Sequence, residues 1–254
     1  MLFRSGSLAE SNDEVAETQQ LVVATTAMPK DDWVRTRAFC WMAALLHFDK
    51  ILQIPFVLLH EVADLRYREL IEAFSAGDLK AFPILAEIRA FFEDEARKIQ
   101  AGGPEYCRSE QWLNIWWPAD EYIFIKLSVE GRLNEFYREA EQVLVRLLRE
   151  KFVELQPELL HEAVTLNRSL IKQPFQTENV EVELSYNIWE VYRGVLQGDS
   201  VPLENDSKRY HVDRTSETWS SWDDWCREVV WYGNKKGAYL YGHRAVDREL
   251  AGHY

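Results

Sequence analysis

Cysteine is scarce in this sequence, and the three cysteines that occur are far apart. Cys40, Cys107 and Cys226 form neither a CxxC pair nor a cysteine-rich loop of the kind that binds zinc or an iron–sulfur cluster. Three scattered thiols also differ from the dense, even-numbered framework of a small secreted disulfide-bonded domain. The cysteine content therefore predicts a cytoplasmic protein with reduced thiols.

Glycine and proline are also few, at 11 and 8 residues of 254, which excludes a collagen-like or low-complexity chain. Positive charge is deficient as well, because 29 basic side chains face 42 acidic ones and give a formal net charge of −13. Such a protein repels nucleic-acid phosphates and anionic lipid. Even the most basic segment, residues 226–254, has five basic and three acidic side chains. We therefore expect no nucleic-acid partner and no membrane partner.

Long hydrophobic runs are missing. The most apolar stretch, residues 38–59, is divided near its middle by four polar residues, His47, Asp49, Lys50 and Gln53. Each half is shorter than the roughly 20 apolar residues that a membrane-spanning helix needs. Residues 1–20 carry four acidic side chains and lack the apolar segment of a secretory signal. We expect core helices rather than a membrane span.

Hydrophobic periodicity predicts what the chain does form. Residues 1–24 are polar and acidic and are expected to be a flexible segment. A first helix then presents an apolar stripe at helical spacing: Val34, Ala38, Trp41, Leu45 and Phe48. Pro55 should break or kink the chain before a second helix that ends at Gly77. The expected buried face of that helix consists of Ala63, Tyr67, Leu70, Ile71 and Phe74.

Further helices are expected from Pro83 to the Gly102-Gly103 pair, from Pro118, between residues 131 and 152, and from Pro157. After Pro174 the pattern alternates with period two over residues 180–186, which is typical of a half-buried strand. A helix over residues 188–196, a second strand around residues 210–212 and a last helix over residues 219–232 complete the pattern. The sequence predicts a mainly α protein: a multi-helix bundle over residues 25–175, then a small α+β portion over residues 176–254 with a short antiparallel strand pair.

Two partial metal motifs occur. His60-Glu61-Val-Ala-Asp64 shares the opening of HExxH but has aspartate in place of the second histidine, and no third ligand is nearby. Glu158-Leu-Leu-His161 is half of a di-iron carboxylate motif, whose second copy is missing from the chain. Both patterns also fit an ordinary solvated helix, so no metal ligand is assigned.

Two acidic clusters suggest an alternative function. Asp31-Asp32 and Glu93-Asp94-Glu95 resemble the clusters that hold Mg²⁺ and diphosphate in all-α isoprenoid enzymes. Asp31-Asp32 equally suits the first turn of a helix, and the second cluster is followed by basic residues on a solvated face. A free-standing, magnesium-dependent enzyme acting on a diphosphate remains an alternative. The chain has no phosphate-binding glycine loop and no nucleophile elbow, so no catalytic or cofactor-binding residue is assigned.

Tryptophan is abundant, with ten residues in the chain. Two interpretations are open: the indoles pack within the core, or they form an apolar interface for another domain, since indole combines a large area with one polar group. The resemblance described next favours an interface. Seven clustered residues form this candidate interface: Trp112, Trp116, Trp117, Trp219, Trp222, Trp225 and Trp231.

Most of the chain, from about residue 21 to residue 241, resembles the region that follows the catalytic barrel in cobalamin-binding radical SAM proteins. The resemblance lies in LVVATTAMPKDDW at residues 21–33, ALLHFDKILQIP at 44–55, YNIWEVY at 186–192 and VVWYGNKKGAYLY at 229–241. In that family a separate module holds cobalamin, and a barrel binds a [4Fe–4S] cluster and S-adenosylmethionine through CxxxCxxC. Those parts are missing from this sequence, so no family catalytic residue maps onto it.

The resemblance implies a non-catalytic accessory module. Such a module would pack on a radical SAM catalytic domain or subunit and shape its substrate cavity or an interface. The [4Fe–4S] cluster, S-adenosylmethionine and cobalamin would belong to that partner alone. A truncated gene remnant without function is a further alternative.

Overall fold

The computed structural model describes residues 21–232 and 240–241. Its α-helices are Lys30–Ala43 (α1), Gln53–Ala63 (α2), Tyr67–Ser75 (α3), Pro83–Gln100 (α4), Ala119–Val129 (α5), Leu133–Glu150 (α6), Pro157–Leu170 (α7), Ile188–Gln197 (α8) and Trp222–Trp225 (α9). Two π-helices continue α1 and α9, Ala44–Phe48 (π1) and Cys226–Trp231 (π2). The strands are Cys107–Arg108 (β1), Trp116–Trp117 (β2), Val180–Tyr186 (β3) and Asn205–Val212 (β4). The predicted mainly α fold with a small α+β portion is confirmed.

Two helices, α2 and α5, form the centre of the fold. Every residue from Gln53 to Leu59 is buried, and α5 is buried on most of its circumference, including Asp120 and Glu121. A helix that is apolar all round can only be stable when other elements surround it. Helices α3, α7 and α8 pack around α2, helices α1, α4 and π2 pack around α5, and π1 packs on both.

Helix α6 follows its sequence pattern closely. Helical spacing places seven apolar residues on one face of α6, and all seven are buried: Leu133, Phe136, Tyr137, Ala140, Leu144, Leu147 and Leu148. Its other charged residues are at least partly exposed, but Glu139 is buried and accepts a hydrogen bond from the Leu85 N–H at 3.1 Å. Helix α4 also buries one apolar face, on which Phe91 is only partly buried. In these two long helices, the regular spacing of apolar residues was therefore enough to predict which face is buried.

The apolar stripe predicted for the first helix is wrong at its last position. Val34, Ala38, Trp41 and Leu45 are buried as expected, but Phe48 is 67% exposed. The chain changes from α1 to π1 at Ala44, and a π-helix has more residues per turn than an α-helix. The change in phase turns Phe48 towards solvent.

The single second helix predicted up to Gly77 is also wrong. Asp64 adopts a left-handed conformation with φ 51°, which ends α2, and α3 begins separately at Tyr67. Pro55 does not precede the helix but lies in the first turn of α2. Proline is tolerated there because the first backbone N–H groups of a helix have no partner within the helix.

The predicted strand pair is present. β3 and β4 are antiparallel, with Val182 opposite Tyr210 and Val180 opposite Val212. Glu181 and Glu183 are exposed, as the alternation predicts. A second, shorter pair, β1 and β2, closes the loop of residues 109–115 and was not predicted.

The α+β portion packs directly on the bundle. The Tyr192 hydroxyl in α8 donates a hydrogen bond to Gln53 Oε1 in α2 at 2.6 Å. The Trp225 ring in α9 lies 5.5 Å from the Phe124 ring in α5, measured between centroids. Buried hydrophobic residues from both portions form one cluster. The predicted boundary at residue 175 therefore marks a change of secondary structure within a shared core.

Residues 1–20 of the predicted flexible segment lie outside the described residues, as do residues 233–239 and 242–254. Val23, within the expected flexible segment, is buried, and its carbonyl accepts a hydrogen bond from Gln100 Nε2 at 3.2 Å. Among the described helices, none alone has the length and apolar content needed to cross a membrane. The pair 30–48 and 53–63 passes that test jointly, but its two halves meet at about 90°.

Candidate functional site

The seven tryptophans of the predicted interface differ in exposure. Four are buried in the protein's own core: Trp112, Trp117, Trp219 and Trp225. Trp116 and Trp222 are half-buried, and Trp231 is 38% exposed. Only these last three can contribute contact area to another molecule in this conformation.

Three of the four buried indoles donate their N–H to partners within the chain. Trp225 Nε1 donates to the Lys172 carbonyl at 3.1 Å, and Trp219 Nε1 donates to Glu228 Oε2 at 2.9 Å. Trp117 Nε1 donates to the Trp112 carbonyl at 3.3 Å, within the loop closed by β1 and β2. In these three residues both the ring and the N–H are used internally, and the buried Trp112 ring packs against the Tyr122 ring at 5.0 Å between centroids. The four indoles therefore serve the fold.

Two aromatic pairs remain at the surface of the α+β portion. The Phe175 and Trp222 rings meet edge to face at 6.0 Å, and Trp222 rests on the buried Trp225 at 5.4 Å. Trp231 and Tyr232 are stacked at 5.1 Å. Phe175, Trp231 and Tyr232 are 57%, 38% and 62% exposed. We call these four residues, Phe175, Trp222, Trp231 and Tyr232, the aromatic surface.

Phe175 and Tyr232 were missed by the sequence analysis. Phe175 follows Pro174 in a connection without periodicity, and its backbone has φ 62°, the left-handed region that non-glycine residues rarely adopt. Tyr232 follows the last residue of π2. For Phe175, the sequence did offer one sign of an exposed aromatic side chain: a large aromatic residue directly after a proline in a loop.

A buried carboxylate cluster lies where π1 ends and α5 begins. Asp49, Asp120 and Glu121 are 1%, 7% and 7% exposed. Asp49 Oδ2 is buried and has no hydrogen-bond partner among the described residues. Asp120 and Glu121 occupy the first turn of α5, where the helix dipole favours negative charge.

The electrostatics of this cluster favour protonation. Burial, together with the charges of Asp120 and Glu121, raises the pKa of Asp49 well above its usual range. Burial raises the pKa of Asp120 to about 6, although backbone N–H groups and Arg37 act in the opposite direction. Arg37 is itself paired with Glu105 at 2.6 Å. The arrangement favours the protonated forms of Asp49 and Asp120 more than water does. Sequence alone gave no sign of it because all three residues look like surface acids.

The partial metal motifs are not completed by the fold. His60 Nδ1 lies 2.9 Å from the Leu65 carbonyl, and Asp64 ends α2 in a left-handed conformation. His161 Nδ1 lies 3.0 Å from Glu141 Oε1 and is exposed. Within residues 21–232 and 240–241, no group of three or more His, Cys, Asp or Glu side chains is placed to hold a metal ion.

The two acidic clusters are ion-paired with residues of their own helices. Asp32 pairs with Arg35, and Glu93 and Asp94 both pair with Arg97. Glu95 pairs with Lys98 at 2.5 Å. Ion pairs between residues three or four positions apart are typical of a solvated helix face. Among the described residues, no observation favours the diphosphate alternative.

The cysteines sit in different environments. Cys40 is exposed, whereas Cys107 and Cys226 are buried, and all three are free thiols. Burial raises the pKa of Cys107, and raises the pKa of Cys226 to about 12. Thiols that resist ionisation are poor nucleophiles and poor metal ligands.

Compared with protein-family models, the sequence matches none. No curated protein matches it either. Its geometry and the resemblance of its segments are therefore the basis for a functional proposal.

Proposed function

We propose that this chain is a non-catalytic accessory module that packs on a separate radical SAM catalytic barrel and shapes its substrate cavity or an interface. The observation that carries the proposal is the aromatic surface on the α+β portion. Two of its members, Trp231 and Tyr232, lie in one of the segments that resemble the region following such a barrel, VVWYGNKKGAYLY.

The aromatic surface has the properties of a contact site. A whole aromatic side chain has an area of about 150–250 Å², and these four residues still expose a fraction of it, so the two pairs could supply part of a standard interface. Trp222 is held from beneath by Trp225, which keeps the Phe175–Trp222 pair in position. Preorganised aromatic residues are typical energetic centres of protein interfaces because little side-chain entropy is lost on binding.

In this arrangement the partner carries out the chemistry. The [4Fe–4S] cluster, S-adenosylmethionine and cobalamin belong to the barrel and its cobalamin module. Two of this chain's thiols are buried with raised pKa values, which supports that division. The three free thiols suit a reducing cytoplasm, and the net charge of −13 suits a protein partner with a basic rim rather than nucleic acid or a membrane surface.

The test is binding to a defined partner, a cobalamin-binding radical SAM polypeptide, which we expect to be encoded beside this chain. The two purified proteins are mixed and analysed by sedimentation velocity, and a 1:1 complex is expected. Trp222→Ser and Phe175→Ser should each weaken the complex by about tenfold or more, because each removes a preorganised aromatic contact.

Phe152→Ser is the matched control. Phe152 is 93% exposed, but it precedes α7, whereas Phe175 follows the end of α7, so the two lie at opposite ends of that helix. This variant should bind as tightly as the unaltered chain. Absence of such a neighbouring polypeptide, absence of a complex at tens of micromolar, or equal loss in all three variants would contradict the proposal.

A second experiment tests the non-catalytic assignment. The purified chain is incubated with iron, sulfide and reductant, and then assayed for S-adenosylmethionine cleavage. We expect no stoichiometric cluster and no cleavage. A gene remnant, in contrast, would give a chain without a cooperative unfolding transition, which the same preparation reveals by urea titration.

A further inference from the structure

A cleft of about 400 Å³ opens between α6, the end of α7 and the segment after β4. Two arginines line it, Arg168 near the end of α7 and Arg214 two residues beyond β4. Among the described residues that line the cleft none is acidic, although the chain as a whole carries a net charge of −13. Its size falls in the range of small-molecule sites. We call it the two-arginine cleft.

Arg214 is fixed in position but not neutralised. Its Nη2 donates to the Ser169 carbonyl, and its backbone N–H donates to Asn179 Oδ1 at 2.8 Å. Its Nε is buried and has no acceptor among the described residues. Arg214 forms no ion pair with a described carboxylate, so most of its charge and hydrogen-bonding capacity remains available.

Arg168 is exposed and likewise forms no ion pair with a described residue. Burial and the like charge of Arg168 both lower the pKa of Arg214, whereas Tyr241 acts in the opposite direction. Two neighbouring guanidinium groups without a counter-ion repel each other, and a bound anion would remove that repulsion.

Neutral donors and apolar walls complete the cleft. Asn134 and Gln173 contribute amide groups, and Leu133, Ile171 and Val180 contribute apolar area. Guanidinium groups bind planar or tetrahedral oxyanions with two parallel hydrogen bonds, which no other side chain does equally well. Apolar area next to such donors fits the organic part of a ligand.

We propose that the two-arginine cleft binds a small organic phosphate monoester. Two positive charges that have no ion pair with a described residue match a phosphate monoester, which carries between −1.5 and −2 near pH 7, better than a single carboxylate. The proposal concerns this chain alone and does not depend on a radical SAM partner.

The probe is phenyl phosphate, titrated into the purified full-length chain by isothermal calorimetry, with benzoate and inorganic phosphate as comparison ligands. We expect saturable 1:1 binding of phenyl phosphate with a submillimolar dissociation constant. Benzoate should bind about tenfold more weakly, because it carries one charge fewer, and inorganic phosphate should bind more weakly because it lacks the apolar group.

Arg168→Gln should weaken phenyl phosphate binding by about tenfold or more, which is the usual effect of removing a charge-assisted hydrogen bond. Because Arg168 is exposed, this variant is expected to fold even if Arg214→Gln does not. Arg149→Gln is the matched control: Arg149 is exposed, forms no ion pair with a described residue and lies about 22 Å along α6 from Asn134. It should leave binding within twofold.

Three results would overturn this proposal. They are absence of saturable binding up to 10 mM phenyl phosphate, equal weakening by Arg149→Gln and Arg168→Gln, and tighter binding of benzoate than of phenyl phosphate. The second result would indicate general attraction of anions, and the third a carboxylate site.

Discussion

Asn167 in α7 is fully buried and links three parts of the core. Its Oδ1 accepts a hydrogen bond from the Ile54 N–H at 2.9 Å, at the start of α2. Its Nδ2 lies 2.9 Å from the Ile51 carbonyl and 3.0 Å from the Tyr137 hydroxyl in α6. The side chain thus supplies partners for backbone groups that the turn between π1 and α2 leaves unpaired.

Asn167→Ala should lower the free energy of unfolding by about 3 kcal/mol, because several buried polar groups lose their partner together. Tyr137→Phe removes only one of these contacts and should cost about 1 kcal/mol. Urea unfolding followed by tryptophan fluorescence measures both values. Equal effects of the two substitutions would show that the amide is not the centre of this network.

The buried carboxylate cluster makes stability depend on pH. A carboxyl group whose pKa is higher in the folded than in the unfolded state binds its proton more tightly when folded. The free energy of unfolding therefore falls as pH rises from the ordinary value of 3.8 through the folded value, which is about 6 for Asp120. This contribution opposes folding at neutral pH.

Asp49→Asn should raise the free energy of unfolding by about 1–2 kcal/mol at pH 7, because the folded protein then no longer has to keep a carboxyl group protonated, or bear its charge, at this buried position. Its effect at pH 4 should be smaller, so the slope of stability between pH 4 and pH 7 should decrease. Urea titrations at several pH values measure that slope. Asp199→Asn, at an exposed carboxyl, should leave the slope unchanged; a destabilised Asp49→Asn protein at both pH values would contradict the account.

At the scale of elements, long regular helices followed their sequence patterns and short irregular ones did not. Helix α6 and strand β3 agree with prediction because one face of each is buried and the other solvated. Two positions differ from the prediction. At Phe48 a π-helix changes the direction in which side chains point, and at Asp64 a left-handed residue ends the helix. The aromatic surface was only partly predictable, because tryptophans that pack inside and those that face outward have the same spacing.

Helix α8 contains a close approach that its sequence does not reveal. A Cβ placed on Gly194 would lie 2.5 Å from Val201 Cγ2 and 3.3 Å from the Asp199 carbonyl oxygen. The segment after α8 can pack so closely only because residue 194 has no side chain.

Gly194→Ala should therefore destabilise the protein by about 2 kcal/mol through overpacking, despite the better helix propensity of alanine. Val201→Ala in the same chain should recover at least half of that loss, because it removes the clashing methyl groups. A double-mutant cycle by urea unfolding measures the coupling. Val201→Ala alone should cost about 1 kcal/mol, and zero coupling would mean that the backbone, not Val201, opposes the substitution.

At the scale of the whole molecule, the bundle and the α+β portion share one core. Trp225 is fully buried, and its ring and N–H contact Phe124 of α5 and the Lys172 carbonyl. The backbone at Tyr241 also contacts the end of α7, because its N–H donates to the Leu170 carbonyl at 2.9 Å. Such contacts couple the two portions, so we expect them to unfold together.

Trp225→Ala should lower the free energy of unfolding by about 4 kcal/mol, because it leaves a large cavity against α5. It should also increase hydrogen exchange in α5 as well as in α9 and π2. Trp231→Ala, at an exposed ring, should change stability by less than about 0.5 kcal/mol. Unchanged protection of α5 in the Trp225→Ala protein would mean that the two portions fold separately.

The amino-acid sequence by itself determined the class of the fold, the positions of the long helices and the strand pair, and the acidic charge. These depend on periodicity and composition, which are local. Only the tertiary structure decided which tryptophans are exposed, which carboxylates are buried together and which arginines share a cleft. Those properties depend on how residues far apart in the chain pack against one another, and their spacing in the sequence does not record that.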